Sequence, residues 1–334
     1  MSNTETRPDE VECRAGDAAG GGVEILEPRD VPLGGPRAML VRRTLPQRER
    51  SLIGAWCFVD HYGPDLVAES GGMKVAPHPH TGLQTVSWLF TGEIEHRDSV
   101  GSHAMVRPGE VNLMTAGHGI SHSEVSTPDT TELHGAQLWV ALPEAHRDTA
   151  PAFEHHAPPT VHAPGVEARV FLGSLLGSTS PVATFTPLLG AELVLAPGAR
   201  VTLDVDPAFE HGVLVDLGDV TVEGVAAARA DLAYVAPEHA TLTLVAGGEG
   251  SRVLLLGGPP FGEAIVMWWN FVGRTHEEVV AYREAWQAQV TAGTDTVVGD
   301  SQDVADGRFG IVVGDHLPPI PAPVLPNARL RERR

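Results

Sequence analysis

Apolar and polar side chains alternate through residues 85–90, with Val86, Trp88 and Phe90 on one side and Thr85 and Ser87 on the other. This is the period-two pattern of a half-buried strand. Similar short runs recur at 38–42, 54–59, 110–114 and 137–142, each bounded by Gly, Pro or Asp. Over 147–165 the pattern dissolves into Ala, Pro, His and acidic residues, so a linker and a domain boundary are expected there. Further on, runs at 167–172, 191–196, 199–205, 212–217, 241–245 and 252–256 are again short and rich in Val and Leu. Turn residues such as Pro197-Gly198 and Gly218-Asp219 separate them. Two successive strand-rich domains, each of about a hundred residues, point to sandwiches or jelly rolls.

One helix stands out near the end. Thr275-His276-Glu277-Glu278 has the form of a capping box, and Val279, Tyr282, Trp286 and Val290 follow at helical spacing. Trp268, Trp269 and Phe271 just before it read as packing anchors, and the Pro-rich stretch 317–323 reads as an extended tail. The expected organisation is a disordered leader (1–22), an N-terminal domain (23–146), the linker (147–165), a C-terminal domain (166–260), and a helix with a C-terminal extension (261–334).

Composition narrows the classes. The 334 residues carry 23 Lys+Arg against 43 Asp+Glu, a net charge of −20. That argues against direct binding of nucleic acid or of an anionic membrane, both of which need basic surface. With 37 Gly, 27 Pro and only 5% aromatic residues, short strands and turns fit better than a helical bundle. The first twenty residues have no basic or apolar secretory pattern, no apolar run reaches the length of a spanning helix, and Cys13 and Cys57 make no disulfide framework. A cytoplasmic monomer is the expectation.

Histidine is unevenly spread, with 12 of 16 lying between His61 and His162. His78-Pro79-His80 and His122-Ser123-Glu124 matter most, because residues i and i+2 of a strand project from the same face. Each pair is half of a metal site, and a barrel could bring the halves together around one ion. Pro79 lacks an N–H, which places its strand at an edge or a barrel mouth. Three imidazoles and a carboxylate suit Fe, Cu, Mn, Ni or Zn. A structural zinc site is normally closed and frequently uses Cys, and neither cysteine lies in these motifs, so an open, redox-capable site is favoured.

The stretch APHPHTGLQTVSWLFTGEIEHRDSVGSH, continuing as RPGEVNLMTAGHGISHSE to Glu124, resembles the pirin family of the cupin superfamily, as does the upstream FVDHYGP at 58–64. The resemblance is dense over about seventy residues. It implies a mostly β bicupin of two tandem cupin-type jelly-roll barrels, followed by a short C-terminal helix and extended tail. It further implies that the N-terminal barrel binds one metal, usually iron, through His78, His80, His122 and Glu124; the second half offers only the adjacent Glu210-His211, so the C-terminal barrel is expected to be metal-free. This sequence departs from the family pattern at Thr81, Leu83, Gln84 and His118, none of them a proposed ligand, and its C-terminal extension is long.

Some members of that family cleave quercetin. The implied activity is therefore that of a quercetinase-like dioxygenase, taking a flavonol or similar small aromatic enol and dioxygen, with Glu124 also accepting the enol proton. Two alternatives stand beside it: a non-enzymatic, iron-dependent regulator that binds a transcription factor or metabolic enzyme, and a non-redox isomerase or hydrolase working with Zn. Among other candidates, His96-Arg97-Asp98 reads as a hydrogen-bonded turn with room for a role behind the ligands. His103 is a candidate for the pocket wall, His118 for the pocket wall or the surface, and Met114 and Trp88 for the core. Gly117 and Gly119 suggest a tight turn or close approach, and Glu210-His211 point to opposite faces of their strand.

Overall fold

The computed structural model describes residues 22–33, 39–295, 307–327 and 329–332, so nearly all of the expected leader, Cys13 included, lies outside the described residues. The chain is mostly β, in two domains of like construction. In the first, a seven-stranded antiparallel sheet runs in the order Ala152–His156, Val111–Thr115, Leu83–Thr91, Glu132–Ala141, Trp56–Leu66, Met39–Leu45, Arg29–Leu33. A four-stranded sheet, Lys74–His80, Ile120–Ser126, Ile94–Asp98 and His103–Val106, closes over it. The second domain again has a sheet of seven and a sheet of four, the latter built from Arg200–Asp204, Thr241–Ala246, Val220–Val222 and Val225–Ala227.

The alternation read from the sequence explains how the barrels stack. Val86 and Trp88 project from the outer face of the first large sheet, and with Trp56, Leu113, Leu138 and Val140 they pack on Phe171, Leu172, Leu214, Leu254 and Leu256 of the second domain. Trp88 stacks on Phe171 at 4.7 Å, and Trp56 Nε1–H donates to the Gly257 carbonyl at 3.2 Å. The other face of the same strands, carrying Thr85, Ser87 and Leu89, lines the interior of the first barrel. Pro79 lies on an edge strand, as its missing N–H requires.

Two expectations change. Residues 147–165 are not a bare spacer: Ala152–His156 extends the first large sheet and Thr160–Ala163 extends the second, leaving only 157–159 between the domains. Edge strands pair on one side only and are half exposed, which is why their composition resembles a loop. At the other end, Glu24–Leu26 pairs with Leu232–Val235, so the start of the expected N-terminal domain belongs to the second sheet.

The late helix spans His276–Asp295, and Thr275 Oγ1 accepts the Glu278 N–H at 3.2 Å. Trp268, Trp269 and Phe271 anchor it, in a cluster with Tyr282, Trp286 and Phe309. The tail then returns across the first barrel. The Ile320 N–H donates to the Pro77 carbonyl at 2.8 Å, and Ser121 Oγ donates to the Gly310 carbonyl at 3.2 Å, so the tail holds the strands that bear His78 and His122.

Candidate metal centre

The Lys74–His80 and Ile120–Ser126 strands are antiparallel neighbours in which His122 pairs directly with His78 and Ile120 with His80. Paired residues share a face, so all three histidines enter the first barrel, where each is buried. His80 Nε2 and His122 Nε2 are 3.1 Å apart, and the His78 ring lies 4.3 Å from that of His122. Two imidazole nitrogens each about 2.1 Å from one ion, at roughly a right angle, stand about 3 Å apart. The donor set therefore fits a metal ion.

The ring nitrogens are sorted for that purpose. His78 Nδ1–H donates to the Ala76 carbonyl at 2.8 Å, so an ion bound by this ring would be taken by Nε2. Burial presses the His78 pKa down to about 4, and burial together with the neighbouring His78 holds His80 and His122 well below the ordinary histidine range. All three are neutral at pH 7, the state that binds metal. Glu124 is buried beside them, but it groups within 4.8 Å with His122 and His96 rather than with His78 and His80.

Around this layer the barrel wall is laid down in cross-strand rows. Gln137, Ser87 and Asn112 form one, and Trp139, Thr85, Met114 and Phe153 the next. Ser87 Oγ–H donates to Gln137 Oε1 at 2.9 Å and lies 3.5 Å from Glu124 Oε1. Gln137 Nε2, Asn112 Oδ1, Tyr62 Oη and Trp139 Nε1 are buried with no hydrogen-bond partner among the described residues. Such groups are costly unless something else satisfies them. Trp139 stacks on Phe58 at 4.0 Å and meets His80 edge-on at 5.2 Å. Gly82, at φ +66°, lets the 266–273 hairpin close this end: a Cβ there would lie 2.4 Å from the Val272 carbonyl oxygen.

Other nominated residues fall elsewhere. His103 and His118 are exposed and not in the pocket: His103 pairs with Glu95 at 2.6 Å, and the His118 carbonyl accepts from Arg308. Thr81 abuts the Val272 carbonyl, while Gln84 points away from the histidines and donates to Thr115 Oγ1. Met114 and Trp88 are core. In the second barrel His211 is buried and Glu210 points out to the Gly54 N–H and the Tyr234 hydroxyl, as their adjacency requires.

Spacing did not reveal a second histidine cluster. His61 and His134 of the first domain meet Asp216 of the second, all buried. His61 Nε2 is 2.7 Å from Asp216 Oδ1, and His134 Nε2 lies 2.5 Å from the same oxygen, though off the hydrogen-bonding line. These separations are those of groups that share a proton. Two donors so close on one ion would subtend well under a right angle.

Known proteins agree with this architecture. The family model for Pirin matches residues 38–140, and that for the Pirin C-terminal cupin domain matches 190–292. The protein named "Putative quercetin 2,3-dioxygenase PA1205" of Pseudomonas aeruginosa is 43% identical over 327 residues, covering 96% of this chain and 98% of that one. A pirin-like protein of Caulobacter vibrioides is 37% identical over 258 residues, covering 74% of this chain and 88% of its own. The crystal structure of quercetin 2,3-dioxygenase from Acinetobacter baumannii superposes with a TM-score of 0.83 at 37% identity, over 93% of this chain and 98% of that one. With two cupin domains, a histidine-lined first barrel and relatives matched over nearly its whole length, the chain belongs to the pirin family.

Proposed function

We propose that the protein is a metal-dependent dioxygenase of the quercetin 2,3-dioxygenase type, acting on a flavonol or similar small aromatic enol. His78, His80, His122 and Glu124 would hold one transition ion in the first barrel, with iron the family's expectation. The observation that carries this reading is the 3.1 Å approach of His80 Nε2 and His122 Nε2 within a buried layer of neutral imidazoles. The names of the Pseudomonas and Acinetobacter relatives support it. A bound redox-capable ion would supply the Lewis acidity that acidifies an enol and the one-electron chemistry that dioxygen needs.

The chain's own groups do the rest. Trp139, stacked on Phe58, and Phe153 give flat walls for an aromatic ring, while Gln137 Nε2 and Tyr62 Oη offer donors and Asn112 Oδ1 an acceptor. Burial, then the charges of Glu124 and Asp60, raise the Tyr62 pKa well above its usual value, so this phenol donates and does not act as a base. Glu124, beside His122, is left to take the enol proton.

Oxygen uptake tests the reading. Metal-free protein reloaded with Fe(II), Cu(II) or Mn(II) is expected to consume dioxygen with quercetin and to stay inactive with Zn(II), which has no second oxidation state. Equal turnover with Zn(II) would indicate a non-redox isomerase or hydrolase. No turnover with any ion, together with a protein partner whose affinity follows the metal state, would indicate the regulatory role.

A further inference from the structure

His96 and Asp98 obey the same alternation as the nominated ligands. In the strand pairing Glu124 lies opposite His96 and His122 opposite Asp98, so both side chains enter the barrel while Glu95 and Arg97 between and beside them pair with each other near the surface. Asp98 Oδ1 accepts the N–H groups of Val100 and Ser102 at 3.0 and 2.8 Å, which fixes the carboxylate in its turn. The other oxygen, Oδ2, lies 3.2 Å from His96 Nε2. A carboxylate can only accept, so Asp98 favours the His96 tautomer that carries its proton on Nε2 and keeps its lone pair on Nδ1. That Nδ1 lies 3.4 Å from His122 Nδ1. Since His96 has no proton to give there, His122 must carry its own on Nδ1, and its Nε2 lone pair is turned toward His80. Phe153, stacked on His96 at 4.8 Å and 29°, holds the plane of the ring.

We propose that His96 and Asp98 are a positioning pair that selects the tautomer of His122 and presents its Nε2 lone pair to the ion. The proposal rests on the reading of His122 as a ligand. It also separates His78 from His122 by the kind of group behind each ring. His78 leans on the Ala76 backbone, whereas His122 leans on a side chain. The sequence can therefore tune the ion through residues 96 and 98 without touching a ligand.

The test uses Co(II) alone as the probe, titrated into the full-length metal-free protein against a chromophoric chelator, with the Co(II) absorption spectrum recorded at saturation. In Asp98→Asn the amide keeps an oxygen for the turn but offers an N–H to His96 Nε2. This reverses both tautomers and puts the His122 proton on the ligand nitrogen. Binding is expected to weaken about 10–100-fold, the range for lost partners behind metal ligands, with a changed Co(II) spectrum. His96→Ala, which leaves the turn intact, should show the same loss. His96→Gln retains most of the affinity because its carbonyl can accept from His122 Nδ1–H, and Asp98→Asn combined with His96→Gln regains what Asp98→Asn alone loses. A merely structural role gives no such rescue. Wild-type affinity and spectrum in both Asp98→Asn and His96→Ala would overturn the positioning pair. Undiminished binding in His122→Ala would instead overturn the ligand assignment on which it depends.

Discussion

Two buried histidine clusters lie in one chain and differ in what they are built to hold. In the first barrel, ring nitrogens face one another at 3.1 Å, and the Ala76 carbonyl and His96 engage Nδ1 of His78 and His122, leaving the lone pairs inward. At the domain interface the ring nitrogens of His61 and His134 instead face Asp216 at 2.7 and 2.5 Å. Arginines surround that carboxylate: Arg252 Nε contacts Asp216 Oδ2 at 2.5 Å, Arg229 donates to the Asp216 carbonyl at 3.0 Å, and Arg42 Nε donates to His61 Nδ1 at 3.3 Å. Burial pushes the Asp216 pKa up, but His134 and His61 more than offset this and hold it below the usual carboxylate range. The charge of that carboxylate is already matched by Arg252. Both clusters have the composition of a metal site, and only the surroundings of the rings distinguish them.

The comparison breaks most easily at Asp216. Asp216→Ala would leave the part-buried Arg252 without its counter-charge and the buried His61 Nε2–H without its acceptor, and should cost about 3–5 kcal/mol in chemical denaturation. Metal content should be unchanged, and its loss would mean that the two clusters had been assigned the wrong way round. Next in size is Glu124→Gln, which can still offer a carbonyl oxygen to the ion but is a far weaker base. Quercetin turnover per bound metal should fall by roughly 10²-fold or more while appreciable metal remains. Near-normal turnover would remove Glu124 as the proton acceptor and leave its assignment as a ligand open.

A smaller effect is expected with pH. Burial presses the His61 pKa down to about 4, while in the unfolded chain it lies near 6.5. Between those values the unfolded chain takes up a proton that the folded one refuses. The folded state is therefore at full strength above about pH 6.5 and loses up to about 1.4 kcal/mol per pH unit as pH falls toward 4. Urea denaturation of the metal-free protein should show a shallower decline in His61→Gln than in wild type, and identical slopes would refute the buried neutral imidazole. The smallest effect belongs to exposed His103: His103→Ala should stay within about 0.5 kcal/mol of wild type and keep its metal.

What is local is legible in the sequence. The i, i+2 rule puts His78 with His80 and His122 with Glu124 because a strand fixes which side chains share a face. The same rule puts His96 and Asp98 on one face, but Asp98 also accepts in the turn that follows, so the motif alone reads as a turn. No local rule could pair His61 with Asp216, which lie in different domains and meet only when the two large sheets stack. His118 was ambiguous for a related reason, since its place on the surface is set by Thr149, which accepts its N–H, and by Arg308 of the returning tail. Gly117 was better signalled: at φ +53° it sits where a Cβ would lie 1.9 Å from the Thr149 carbonyl oxygen, the close approach its sequence context suggested.

Metal stoichiometry tests the central claim most directly. Protein purified without added metal, then loaded and desalted, should carry one transition ion per chain by mass spectrometric metal analysis. His80→Ala or His122→Ala should lose most of it, whereas His134→Ala should keep it. Two ions per chain, full occupancy in His80→Ala, or loss of the ion in His134→Ala would contradict the account.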